Sequence, residues 1–227
     1  MSPKPPSPWD ARYAGDGYLF GQAPNAFLAA QAARLEAGWS ALAVADGEGR
    51  NGVWLAEQGL DVLAVDSSSV ALEKARRLAR SRGVDLRWEL ADLEVWPFPE
   101  ARFDVVVAIF IQFAGPKLRT RLFGAIKGAL KPGGLLLLEG YRPEQLAYRT
   151  GGPSIAENLY TQAMLREAFS DMEILDLAAY DADIQEGPGH SGMSALIDLV
   201  ARKPSVVSLT VDSQGGAGVR VCADEQA

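Results

Sequence analysis

The sequence predicts an α/β fold in which helices cover both faces of a mainly parallel sheet. Apolar runs of strand length alternate with helical patterns along most of the chain, and this alternation is typical of βαβ units. The runs FDVVVAI at 103–109 and LLLL at 135–138 are almost continuously apolar, as expected for strands buried on both faces. With 227 residues and 48% hydrophobic content, the chain has the size of one such domain.

The predicted elements follow one another without an internal repeat. We expect strands at 40–45, 60–65, 84–89, 103–109, 135–139, 172–180 and 193–201. Capping and turn residues predict helices at 50–58, 70–81, 116–130 and 161–169, and one that begins after Asn25 in AFLAAQAARLEA. Residues 181–192 are too few for a helical crossover, so the last two strands are predicted to form an antiparallel hairpin at the sheet edge.

Composition changes divide the chain into three segments. Residues 1–23 are rich in proline, aromatic residues and glycine, and we expect them to form an N-terminal segment that folds over a site as a lid. Residues 24–203 carry the alternating pattern of the α/β domain. In residues 204–227, VVSLTVD and VRVCA flank SQGGAG, which predicts either a small hairpin or a flexible tail.

Charge and composition narrow the class of partner. The net charge of −7 disfavours nucleic acid, and the basic run is interpreted as a solvated helix face: Lys74, Arg76, Arg77, Arg80 and Arg82. From the proline-rich start we expect no signal peptide, and no apolar run approaches the length of about 20 residues that would cross a membrane. Its single cysteine, Cys222, fits a reducing compartment, and no Cys/His cluster has metal-ligand spacing. We therefore expect a cytoplasmic monomer or homodimer without a metal site.

A glycine turn and two carboxylates follow successive strands. Gly47 and Gly49 lie between a strand and a helix, where glycine permits close backbone approach and the helix N-terminus offers free N–H groups. Asp66 ends the second strand and Asp92 follows the third; such carboxylates can accept hydrogen bonds from ribose hydroxyls and an adenine amino group. Each feature alone also fits a turn or a helix cap. Their order at matching strand ends favours a nucleotide-like ligand.

Several sequence motifs, taken together, are specific enough to resemble one protein family. GEGRN, AVDSS, ADL, FDVVVAIF and LKPGG-LLLLEG together resemble the class I S-adenosylmethionine-dependent methyltransferases over about residues 9–202. Within that class, WDARY…FGQAPNAFL, EGYRPEQLAY-TGGP and EGPGH-G most resemble the small bacterial tellurite-resistance (TehB-like) group. The resemblance implies S-adenosylmethionine as cofactor, methyl transfer to a small-molecule acceptor, and strand order 3-2-1-4-5-7-6 with the seventh strand antiparallel.

The resemblance also defines a cofactor site and one departure from it. The candidate cofactor-binding residues are Ala45, Asp46, Gly47, Gly49, Arg50, Asn51, Asp66, Ser67, Asp92, Leu93 and Ile109. Where the family usually has an acidic residue and a glycine, this chain has Ala43 and Ala45, so one usual anchor is missing. We hypothesise that Asp46 takes over by contacting the methionine ammonium or the sulfonium charge; the alternative is a turn former.

His190 is the candidate catalytic residue. It is the only histidine and lies in the predicted loop between the last two strands, where it could act as a base near neutral pH or simply bond to backbone. The candidate acceptor-binding residues follow strand ends or belong to the N-terminal segment: Tyr18, Phe20, Gln112, Tyr141, Arg142 and Tyr148. Arg142 would suit an anionic acceptor.

Two alternative functions stay open. The turn G-E-G-R-N-G has a third glycine, Gly52, so the pattern alone does not exclude an NAD-type dinucleotide enzyme. Asp92, KPGG before the fifth strand and the terminal hairpin favour the methyl donor. Ala43 and Ala45 keep open a non-catalytic protein that binds S-adenosylmethionine on the same fold.

Overall fold

The structure, a computed structural model, describes residues 7–205 and is built around one seven-stranded sheet. Its strand order is β3-β2-β1-β4-β5-β7-β6, which confirms the predicted fold class. All strand pairs are parallel except β5–β7 and β6–β7. The strands are β1 Ser40–Val44, β2 Asp61–Asp66, β3 Arg87–Leu90, β4 Phe103–Ile109, β5 Leu130–Tyr141, β6 Glu173–Gln185 and β7 Ser191–Arg202.

Helices connect and cover these strands. They are α1 Asp10–Tyr13, α2 Ala26–Ala30, α3 Arg50–Glu57, α4 Ser69–Arg82, α5 Pro116–Ala129, α6 Gln145–Tyr148 and α7 Gln162–Ala168, with 3₁₀ turns at Ala32–Arg34 and Ala156–Asn158. Side chains cap several of them: Asn25 accepts a hydrogen bond from the Leu28 N–H, Ser68 from Ala71 and Thr161 from Met164. Gly83 closes α4 in the left-handed conformation.

The hydrophobic core lies on both faces of the sheet. Alternate residues of β4 point to opposite sides, so Val105 and Val107 pack in one cluster while Val106 and Ala108 pack in the other. This double burial explains why the central strands read as unbroken apolar runs.

Several element bounds differ from the predicted ones for local reasons. The helix after Asn25 ends at Ala30, where the chain tightens into a 3₁₀ turn. The third strand begins at Arg87, because the Val84 N–H still bonds to the Ala79 carbonyl and completes the end of α4. The KPGG segment lies within β5, where the register with β4 shifts, instead of preceding the strand.

Of three further expectations, one is corrected, one is confirmed and one lies mostly outside the described residues. Lys74 is not on a solvated face: it is 3% exposed and its ammonium lies 2.8 Å from the Glu48 carboxylate. The predicted hairpin between the last strands is confirmed, with β6 and β7 leaving only residues 186–190 as the loop. The predicted hairpin or tail at 204–227 lies, beyond residue 205, outside the described residues.

Candidate active site

A cavity of about 720 Å³ opens at the carboxyl ends of the parallel strands. It lies where β1 is flanked by β2 and β4, the point at which strand order reverses; open α/β sheets bind ligands at this position. Its size is that of a pocket for a drug-sized ligand. Loops after β1 to β5, the N-terminal segment and the β6–β7 loop all contribute to its wall.

The loop between β1 and α3 needs residues that tolerate positive φ. Ala45, Gly47 and Gly49 have φ of 50°, 58° and 89°. A Cβ on Gly47 would lie 2.8 Å from the Tyr13 hydroxyl, and one on Gly49 would lie 2.6 Å from the Cβ of Ala75 in α4. Glycine therefore lets Tyr13 approach the loop at one position and α4 pack against it at the other. Gly49, a predicted cofactor residue, thus serves helix packing and does not line the cavity.

Asp66 holds this loop in place from the end of β2. Its Oδ2 accepts a hydrogen bond from the Gly47 N–H at 2.8 Å, and its Oδ1 accepts one from the Ser68 N–H at 2.8 Å. Burial raises the pKa of Asp66, against the effect of these hydrogen bonds. Asp92 accepts a hydrogen bond from the Glu94 N–H at 2.9 Å. Both aspartates line the same cavity as the glycine loop.

Asp46 has one engaged and one unpaired carboxylate oxygen. Its Oδ1 accepts a hydrogen bond from the Gly52 N–H in the first turn of α3 at 3.0 Å. Its Oδ2 is buried without a hydrogen-bond partner among the described residues. Burial raises the pKa of Asp46 to about 7. The side chain therefore stabilises the start of α3, while its second oxygen lies buried beside Gly52.

The N-terminal segment is fastened over the glycine loop by Glu48. The Leu19 N–H donates to Glu48 Oε2 at 2.6 Å, while Lys74 Nζ donates to Glu48 Oε1 at 2.8 Å and to the Gly17 carbonyl at 2.6 Å. This brings Tyr13, which is only 5% exposed, into the cavity wall. Sequence reasoning missed Glu48; its place between the two loop glycines was the available signal.

The β6–β7 loop closes the other side through Glu186. Its carboxylate lies 2.7 Å from Arg50 Nη1 and accepts a hydrogen bond from the Ala26 N–H at 2.9 Å. Burial opposes ionisation of Glu186, but His190 and Arg50 beside it outweigh burial and lower its pKa to about 2. The Gly189 N–H donates to the Leu19 carbonyl at 2.7 Å. The loop is thereby joined to both the glycine loop and the N-terminal segment.

His190 lies within a set of aromatic rings at the cavity. Its ring centroid is 4.4 Å from those of Phe20 and Phe110 and 5.8 Å from that of Tyr141. Nδ1 lies 3.8 Å from Glu186 Oε2. Burial lowers the pKa of His190 despite the nearby carboxylate, so the imidazole is neutral at neutral pH.

The structure brings most of the predicted site residues together. Those lining the cavity are Ala45, Asp46, Gly47, Arg50, Asn51, Asp66, Ser67, Asp92, Leu93, Ile109, Phe20, Gln112, Tyr141 and His190. Gln112 is buried and its amide supports the chain by donating to the Tyr141 and Asn158 carbonyls at 2.8 and 3.1 Å.

Three predicted acceptor residues do not reach the cavity. The Tyr18 hydroxyl donates to the Lys74 carbonyl at 3.0 Å, outside the cavity. The Arg142 guanidinium donates to the Leu196 carbonyl and to Asp181, and the Tyr148 hydroxyl donates to Asp181 at 2.8 Å. The Arg142 and Tyr148 side chains lie against the β6–β7 hairpin. The interpretation of Arg142 as a contact for an anionic acceptor therefore loses its support.

Other cavity residues were not among the predicted ones. Trp9 and Arg12 come from the N-terminal segment and Phe113 follows β4, while 151–155 and Asn158 form the rim beyond α6. The sequence signal for these residues was weak because the segments that carry them have no periodicity. Among residues 7–205, no group of three or more His, Cys, Asp or Glu side chains could hold a metal ion. The same residues include no helix with the length and apolarity of a membrane span.

Comparison with known proteins agrees with this geometry. Residues 41–134 match the family model described as a methyltransferase domain. Demethylmenaquinone methyltransferase of Thermus thermophilus is 33% identical over 104 residues, which are 45% of this chain and 47% of that protein. The chain spans about half the length of the curated relatives it matches, 47% in each of the first three.

Solved structures share the fold at low sequence identity. TehB from Haemophilus influenzae superimposes with a TM-score of 0.65 at 15% identity, over 86% of this chain and 65% of that one. A structure described under the conversion of a disulfide bond into a thioacetal group during echinomycin biosynthesis gives a TM-score of 0.70 at 21% identity, over 86% and 90% of the two chains.

Residues 41–134 therefore match a methyltransferase domain, and the chain shares the fold of solved S-adenosylmethionine-dependent methyltransferases, for which S-adenosylmethionine is the cofactor. The residues present fit that group. The glycine loop, Asp66 and Asp92 line one cavity, and the Oδ2 of Asp46, unpaired among the described residues, would be compensated by a nearby positive charge.

Proposed function

We propose that this protein transfers the methyl group of S-adenosylmethionine to a small-molecule acceptor. The observation that carries the proposal is the division of one cavity into two chemically different halves. The half beside β1, β2 and β3 holds the glycine loop and the carboxylates of Asp46, Asp66 and Asp92. The half beside β4, β5 and the β6–β7 loop holds aromatic rings and His190.

The carboxylate half suits the cofactor. Asp66 retains acceptor capacity for ribose hydroxyls beyond its two backbone hydrogen bonds. Asp92 would accept from an adenine amino group, and Asp46 would face the ammonium or sulfonium charge. When bound, S-adenosylmethionine supplies an electrophilic methyl group on a positively charged sulfur. The residues of this half bind and orient it.

The other half suits an acceptor held in line with that methyl group. Alignment of the two reactants can supply most of the acceleration, so few catalytic groups are needed. His190, neutral and at the cavity, would take a proton from the acceptor. The N-terminal segment and the β6–β7 loop, which are held at the site by the Glu48 and Glu186 contacts, would cover the bound reactants and exclude water.

The names of the curated relatives do not select an acceptor. One is a demethylmenaquinone methyltransferase and another, from Halorhodospira halochloris, a glycine/sarcosine N-methyltransferase that is 28% identical over 141 residues, 58% of this chain and 47% of that protein. A cytoplasmic location, suggested by the single cysteine, and a monomeric or homodimeric state are part of the proposal.

Release of S-adenosylhomocysteine from S-adenosylmethionine tests the proposal. The purified full chain is assayed against thiols, phenols, amines and tellurite, with NAD and S-adenosylhomocysteine compared by tryptophan quenching. We expect S-adenosylhomocysteine to bind, NAD not to bind, and at least one acceptor to be methylated. Binding without turnover on every acceptor would support the non-catalytic alternative, and preference for NAD would contradict the assignment.

A further inference from the structure

The charges that line the cavity are unevenly distributed. The lining carboxylates, Asp46, Glu48, Asp66, Asp92 and Glu94, all follow β1, β2 or β3. Beside β4, β5 and the β6–β7 loop, the lining residues that the structure describes include no carboxylate. This half of the cavity, the acceptor half, therefore suits an acceptor molecule without positive charge.

The two cationic side chains that line the cavity do not offer a site for an oxyanion beside His190. Arg50 is 6% exposed and its guanidinium is held by Glu186 at 2.7 Å. Arg12 is exposed, and its guanidinium carbon lies 4.6 Å from the ring centroid of Trp9 and 5.9 Å from that of Phe20. An inorganic oxyanion buried beside His190 would therefore have only the exposed Arg12 guanidinium, which stacks on Trp9, as a cation, and its costly desolvation would be poorly compensated.

An aromatic wall, formed by Phe20, Phe110, Phe113 and Tyr141, lines this half instead. Phe110 and Tyr141 lie with centroids 4.7 Å apart at 30°, and both contact the His190 ring. Phe110 is fixed at φ 54° by the turn after β4, where its N–H donates to the Glu139 carbonyl at 2.9 Å. Such strained non-glycine backbone persists where the surrounding structure holds a functional geometry.

We propose that the methyl acceptor is a small molecule with an aromatic ring adjacent to a nucleophilic thiol or hydroxyl, bound against the aromatic wall with the nucleophile at His190. Aromatic pairs in offset or edge-to-face contact gain about 0.5–1.5 kcal/mol beyond area burial, which favours an aromatic body over an aliphatic one of equal size. This inference rests on the proposed function, whose methyl donor it requires.

The step balances with groups already named. His190 Nδ1 lies toward Glu186, which leaves Nε2 to take the proton from the acceptor's S–H or O–H. The freed lone pair forms the bond to the methyl carbon as the carbon–sulfur bond of the sulfonium breaks, and that electron pair stays on sulfur. The imidazolium then returns its proton to water. Charge is conserved, and no oxidant or reductant is needed.

Benzyl mercaptan and cyclohexylmethanethiol test the ring directly, because they share the methylene thiol and differ mainly in aromaticity. Sodium tellurite tests whether an inorganic oxyanion is the better methyl acceptor. With wild-type protein we expect kcat/KM for benzyl mercaptan to exceed both others at least tenfold. Equal or greater methylation of cyclohexylmethanethiol or tellurite would overturn the proposal. So would retained S-adenosylhomocysteine binding with no methylation of benzyl mercaptan, whereas loss of that binding in wild type would defeat the proposed function itself.

Two variants test whether the aromatic wall causes the preference for benzyl mercaptan. Phe110→Leu is expected to raise KM for benzyl mercaptan several-fold with unchanged S-adenosylhomocysteine affinity. Phe98→Leu, which alters a partly buried ring paired with Trp96 and outside the cavity lining, is the matched control and should leave KM unchanged. Equal KM in wild type and Phe110→Leu, both folded by circular dichroism, would place the acceptor elsewhere and overturn the proposal.

Discussion

Glu48 of the glycine loop and Lys74 of α4 form a buried ion pair at 2.8 Å, with side chains 2% and 4% exposed respectively. The pair is also the anchor of the N-terminal segment, because Glu48 accepts from Leu19 N–H and Lys74 donates to the Gly17 carbonyl. Glu48, the middle residue of the loop motif, thus ties the loop to the N-terminal segment, which contributes to the cavity wall.

Removing one partner should therefore be costly. Glu48→Ala leaves a buried ammonium without its counter-ion, and such changes cost about 3–5 kcal/mol of unfolding free energy. Glu73→Ala, which removes an exposed carboxylate near Arg76 and Arg80, is the control and should cost well under 1 kcal/mol. Urea denaturation measures both; equal effects of the two changes would contradict the anchoring role.

The contact between the N-terminal segment and the β6–β7 loop should control acceptor binding. Gly187 has φ 85°, and a Cβ there would overlap the backbone N of Gly21. Gly187→Ala is expected to separate the two segments and raise acceptor KM about tenfold, since a misplaced cover loses alignment. Gly15→Ala, at a position with nothing within 4 Å of an added Cβ, should leave KM unchanged. Steady-state kinetics on both proteins decide the matter.

The proposed base gives a defined pH profile. Burial lowers the pKa of His190 below its ordinary 6.5, with Glu186 raising it and Arg50 and Arg12 lowering it further. The imidazole is therefore unprotonated above pH 6.5, and we expect kcat to be level there and to fall in acid as the base is protonated. His190→Gln should lower kcat at least a hundredfold and remove this limb. An unchanged profile in that variant would exclude His190 as the base.

Asp46 should release a proton when the cofactor binds. Its pKa is raised from 3.8 to about 7 by burial, so ionisation costs the folded protein stability as pH rises from about 4 to 7. A cation placed beside it restores the ionised form. Calorimetry at pH 6.5 in two buffers of different ionisation enthalpy should show proton release on S-adenosylmethionine binding in wild type and none in Asp46→Asn.

The same titrations distinguish a cofactor contact at Asp46 from the alternative role of a turn former. Asp46→Asn keeps an oxygen for the Gly52 N–H, so α3 should retain its cap. If this variant and Asp46→Ala bind S-adenosylmethionine as tightly as wild type, Asp46 is a helix and turn residue only.

The sequence predicts those features of the fold and the site that hydrophobic periodicity and the positions of strand ends determine. The edge hairpin and the meeting of Gly47, Asp66 and Asp92 follow from hydrophobic patterns and from the rule that parallel strands end at one edge, whereas the strand order was implied by the family resemblance. Ala45 is instructive: its φ of 50° explains why a glycine is usual there, and shows that alanine tolerates the turn at a modest cost.

What side chains do beyond strand ends was less predictable. Tyr141 and Arg142 are consecutive, but successive residues of an extended chain point to opposite sides; Tyr141 lines the cavity and Arg142 bonds to the Leu196 carbonyl. The Glu48–Leu19 contact joins residues 29 positions apart through a backbone N–H. No residue-type pattern encodes such a contact, so only the folded chain reveals it.

Calorimetric titration with S-adenosylhomocysteine tests the central claim most directly, because it asks whether the cavity at Gly47, Asp66 and Asp92 is the cofactor site. We expect one molecule to bind per chain and Asp66→Ala to weaken binding at least tenfold. Asp85→Ala, an exposed aspartate outside the cavity, should bind as wild type does. Absence of binding to the wild-type protein, or equal affinity in Asp66→Ala, would contradict the account.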